Sequence, residues 1–123
     1  MAKYLSLRGW IECDEQDLEE IKQKLIESQE NIEKYPLDFE QAEYYSKGWR
    51  FPENNIGWSS YIFYGADIKN YALDYIIFQF ENITDVNEEI IGYLFISDDE
   101  GEESKVLKFN KQSYKTDVLD ILE

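Results

Sequence analysis

Residues 88–110 read EEIIGYLFISDDEGEESKVLKFN, two runs of strand character on either side of a crowded acidic turn. EEIIGYLFIS (88–97) and ESKVLKFN (103–110) are rich in β-branched and aromatic side chains, so DDEG between them reads as a hairpin turn. A hairpin late in the chain predicts an antiparallel sheet, and the remaining segments are read by how they extend it. SYKTDVLDI (113–121) adds a last strand after a turn at 110–112. Toward the N-terminus, KYLSLRGWIE (3–12) alternates roughly and reads as a first strand, with Gly9 as a candidate bulge.

The period then changes. Leu18, Ile21, Leu25, Ile32 and Tyr35 recur at helical spacing, Asp14 is placed to cap the helix and Pro36 to stop it. Residues 36–56 show no firm period and read as a long connection with a short helix around 39–45. GWSSYIFYGADI (57–68) reads as a strand. In DIKNYALDYIIFQFENIT (67–84), the spacing of Leu73, Ile76, Ile77, Phe80 and Ile83 predicts a helix. The order predicts one α+β domain over residues 1–123, with two helices packed on one face of a mainly antiparallel sheet of four or five strands.

The chain has 123 residues, 43% of them apolar and 16% aromatic, enough for a packed core. It carries 27 acidic against 12 basic side chains, a formal charge of -15. Such a surface repels phosphate backbones and anionic lipid and attracts cations, so direct nucleic-acid and membrane binding are disfavoured. With no histidine and a single cysteine, Cys13, the chain has neither a His/Cys zinc set nor an imidazole base. There is no phosphate-binding glycine loop, no G-x-S-x-G frame around Ser59 or Ser60, and no carboxylate pair marked out by spacing. Cys13 reads as a small buried residue at a strand end. These residues predict no enzyme and no cofactor, and a soluble cytoplasmic protein.

The charge is uneven. Residues 1–41 hold 11 acids and 5 bases, 42–82 hold 5 and 3, and 83–123 hold 11 and 4. The balanced middle segment holds 12 of the 20 aromatics. In the first zone, Asp14, Glu15 and Asp17 suit the positive end of a helix, each worth about 0.3–1 kcal/mol. No such dipole explains Asp98, Asp99, Glu100, Glu102 and Glu103. Their spacing does not match the D-x-[DN]-x-[DN]-G calcium loop, which leaves a solvated turn or a surface for a basic partner. Trp58, Tyr61, Phe63, Leu73, Ile76, Ile77 and Phe80 read as core. Tyr44, Tyr45, Trp49, Arg50 and Phe51 lie in the long connection, where they either anchor it or meet a partner.

At YLSLRGWIECD (4–14), GWRFPENNIGWSSYIFYGADIKN (48–70) and GYLFISDDEG (92–101), the chain resembles small bacterial immunity proteins of contact-dependent inhibition and polymorphic toxin systems. The resemblance implies a stoichiometric inhibitor that binds a cognate toxin domain, often a basic nuclease. The partner-binding candidates are then Asp98, Asp99, Glu100, Glu102 and Glu103, with Asp14, Glu15, Tyr44, Tyr45 and Trp49. The alternative is an acidic nucleic-acid mimic that binds a nucleic-acid-binding host or phage protein.

Overall fold

The computed structural model describes residues 3–54, 56–98, 100, 104–111 and 114–117, the last four by their backbone. Chain order runs β1 (Tyr4–Asp14), α1 (Leu18–Glu30), α2 (Phe39–Ser46), β2 (Trp49–Arg50), β3 (Ser59–Lys69), α3 (Leu73–Thr84), β4 (Ile91–Asp98), β5 (Ser104–Asn110) and β6 (Tyr114–Asp117). The six strands form one sheet in the order β2-β3-β1-β4-β5-β6, every pair antiparallel. The expected α+β architecture is present. Its extra strand, β2, is two residues long and too short to show any alternation.

The central strand β1 is longer than expected and pairs on both sides. Gly9 stands opposite Tyr64 and Leu94 in unbroken register, so the expected bulge is absent. The reason for glycine there is close approach. A Cβ at Gly9 would lie 2.2 Å from the Tyr93 carbonyl oxygen and 3.2 Å from Cζ of Phe80 on α3.

The period-2 alternation of β1, β3 and β4 splits the sheet into two faces. Leu7, Ile11, Ile62, Tyr64, Ile68 and Leu94 point inward and are buried with Ile21 of α1, Ala42 of α2, and Ile76 and Phe80 of α3. All three described helices therefore pack on this inner face. Asp14 ends β1 in extended conformation at the N-cap of a 3-10 turn over Glu15–Asp17, which leads into α1. Its N–H donates to Asp17 Oδ2 at 3.2 Å. The helix expected to run on from residue 67 begins at Leu73, because Asp67 to Lys69 still pair with β1.

Candidate functional site

The acidic residues expected to act together lie apart. Register pairs Leu5 with Asp98 and Glu12 with Ile91, so Asp98 sits beside the start of β1 while Asp14 ends the strand and Glu15 follows it. Nine residue steps along β1 from Leu5 to Asp14, at about 3.3 Å each, put Asp98 and Asp14 about 30 Å apart. Asp98 is moreover an inward-facing, buried residue of β4, with Lys3 Nζ 4.0 Å from its Oδ2. It belongs to the sheet rather than to an exposed turn. Glu100 is exposed on the turn, whereas Asp99, Glu102 and Glu103 lie outside the described residues.

The connection candidates divide in the same way. Tyr44 is 68% exposed on α2, but Tyr45 and Trp49 are buried, which corrects their place among partner-facing residues. Trp49 donates its indole N–H to Gln79 Oε1 at 3.1 Å, and its ring lies 4.9 Å from those of Tyr64 and Phe80. Gln79 in turn donates to Ser28 Oγ at 3.0 Å and Ser46 Oγ at 3.2 Å, tying α1, α2 and α3 together. Tyr45 accepts the Tyr64 hydroxyl on its carbonyl at 2.8 Å and the Lys69 N–H on its own hydroxyl at 3.2 Å. These two aromatics anchor the connection to β3. Burial pushes the Tyr64 hydroxyl pKa up, with the Tyr45 and Tyr75 hydroxyls adding to it.

The exposed aromatics are elsewhere. Tyr61 and Phe63, expected in the core, point outward from β3 and are 42% and 56% exposed. Beside them, in the 51–58 loop, Trp58 is 86% and Ile56 92% exposed. Gly57 between them has φ +83°, a left-handed conformation that only glycine adopts at little cost, and it turns the chain where these two side chains stand out. Across the sheet, Trp10 stands opposite both Phe63 and Tyr93. Its ring is 5.1 Å from Tyr93 and 5.7 Å from Phe95. An aromatic strip thus crosses β3, β1 and β4 on the face opposite the helices.

The strip has a charged end. Glu12 lies between Tyr61 and Ile91 in the register, and Asp14 stands opposite Ser59. With Glu89 these line a hollow of about 280 Å³ that also touches Cys13. Burial, with the carboxylates of Asp17 and Asp14 adding to it, pushes the Cys13 thiol up to about 12. The thiol therefore stays protonated at neutral pH and is a poor nucleophile. Toward the other end of the same face Lys69 stands opposite Tyr4, Asp67 accepts the Ser6 hydroxyl at 2.7 Å, and Arg8 lies between that end and Trp10. No group of three or more Cys, Asp or Glu side chains suited to a metal occurs among the described residues.

Comparison with known protein families, with characterised proteins and with solved structures finds no match to this chain. No described helix is long and apolar enough to cross a membrane. Sequence reasoning missed the outward strip because SSYIFYG is apolar at successive positions, which hides the inward and outward phases. The available signal was the register: once Ile62 and Tyr64 are assigned inward, Tyr61 and Phe63 must face out.

Proposed function

We propose that this chain is a stoichiometric inhibitor of a cationic protein, in the manner of an immunity protein that neutralises a cognate toxin, most simply a basic nuclease. It acts by occupying the partner's surface, with no bond made or broken, in the cytoplasm of the cell that makes both. The observation that carries this reading is the outward aromatic strip, exposed at Tyr61, Phe63 and neighbouring Trp58 and half-buried at Trp10, Tyr93 and Phe95, on a sheet face free of described helices in a chain of charge -15. Exposed contiguous apolar surface on a small protein marks an interaction site more often than chance packing. The negative charge suits an encounter with a phosphate-gripping surface, since charge complementarity speeds association and rejects anionic competitors.

Co-expression with the product of the gene immediately upstream tests this. The expected result is one-to-one co-purification and restored growth of cells carrying the toxic product. Growth arrest that persists despite soluble expression of both chains contradicts it. Capture instead of a nucleic-acid-binding protein of the host would favour the mimic reading.

A further inference from the structure

We infer that the outer sheet face around Trp10, Phe63 and Trp58 is the docking surface, and that its occupant is a basic protein segment whose contacting cations are arginines rather than lysines. This deepens the inhibitor reading and rests on it for the partner's identity.

The occupant follows from charge. A second copy of this chain would bring another -15 to a chain of the same charge, at a face whose one end holds Glu12, Asp14 and Glu89, so self-association is opposed. Nucleic acid and anionic lipid are opposed for the same reason. A cationic polypeptide is drawn to the acidic end, whereas the rest of the face is closer to balance, with Lys69 next to Asp67, Arg8 two residues from Trp10 and Arg50 opposite Phe63.

The preference for arginine follows from the rings. Two cations of this chain already lie over aromatics on this face: Lys108 Nζ is 6.0 Å from the centre of Tyr93, and Lys69 Nζ 5.9 Å from that of Tyr4. Of the other rings on this face and its flanking loop, Phe63 and Trp58 are the most open to solvent. A planar guanidinium stacks on such rings and at the same time offers paired N–H donors to a carboxylate such as Glu12. A lysine ammonium is a compact, strongly hydrated point charge that loses more hydration for less contact. Arginine therefore gains from both halves of the site, and lysine mainly from the carboxylates.

Fluorescein-labelled octa-arginine and octa-lysine, titrated by anisotropy at about 0.15 M salt, separate the two terms. Octa-arginine should bind about tenfold more tightly than octa-lysine. Phe63→Ser with Trp58→Ser should bring the two peptides to parity. Trp58→Ser alone, in an exposed loop, should at least halve the ratio and guards against loss of the β3 strand in the double variant. Glu27→Gln with Glu30→Gln on α1 should weaken both peptides slightly and leave the ratio unchanged. Equal affinities in the parent overturn the inference, as does a ratio untouched by either face variant. So does a dimer in sedimentation that the face variants dissolve. The two readings fail separately. If the face variants protect cells as well as the parent does, the docking surface is elsewhere and the inhibitor reading stands. If the arginine preference holds but no neighbouring product is inhibited, the surface stands and the inhibitor reading falls.

Discussion

The two faces of the sheet are built from alternate residues of the same strands, yet they meet different surroundings. On β3, Ile62, Tyr64 and Ile68 point inward and are essentially fully buried, while Tyr61 and Phe63, one residue away, are about half exposed. The inner face is closed by helices and by hydrogen bonds that reach its polar atoms, as at Gln79 and Tyr64. The outer face has comparable rings and a carboxylate rim, but no described helix over it. Side-chain chemistry alone does not distinguish core from exposed face here; what lies opposite does.

That contrast can be broken by paired substitutions. The largest effect is expected at Phe80, whose ring packs against Trp49, Tyr64 and Phe109 at 4.9, 6.2 and 5.2 Å. Phe80→Ala should cost about 3–5 kcal/mol in urea unfolding, against less than about 1 kcal/mol for Phe63→Ala. Similar losses at the two positions would mean that the outer rings are structural after all.

Glycines provide a finer comparison. Gly9→Ala forces a methyl group against the Tyr93 backbone and should cost about 1–3 kcal/mol. Gly65 on the outer face of β3 has open space where a Cβ would go, so Gly65→Ala should be neutral or stabilise by up to about 1 kcal/mol. Thermal melts of both variants check the sign at each face.

A smaller effect is expected from pH. The Cys13 thiol ionises near 9.0 when exposed and only at about 12 when folded, so the unfolded chain releases its proton first. Stability is thus undiminished below pH 9 and declines as pH rises from there, at up to about 1.4 kcal/mol per pH unit. Cys13→Ala should flatten that decline in urea unfolding measured at pH 8 and pH 10, leaving the part due to Tyr64, which shifts in the same direction.

The helices were legible in sequence because Ile21, Leu25, Ile76 and Phe80 repeat at helical spacing on faces that pack against the core. The β4–β5 hairpin was legible because a glycine-bearing turn separates two strand-like runs. The site was less so. Register placed Asp14 and Asp98 at opposite ends of β1, a distance that proximity in charge pattern does not reveal. Tyr45 and Trp49 share their residue types with interface anchors, but the partners that bury them, Tyr64, Lys69 and Gln79, come from other elements. Trp58 and Phe63 carry the opposite lesson, since aromatic content reads as core until the strand's phase is known.

The three tryptophans report on the two faces at once. Trp10 and Trp58 lie on the outer face and its flanking loop, whereas Trp49 is buried with its indole N–H bonded to Gln79. In a ¹H–¹⁵N spectrum, adding octa-arginine should shift the Trp10 and Trp58 indole signals and leave that of Trp49 in place. A titration that moves Trp49 alone, or that saturates with Trp10 and Trp58 unmoved, would contradict an outer face kept open for a basic partner.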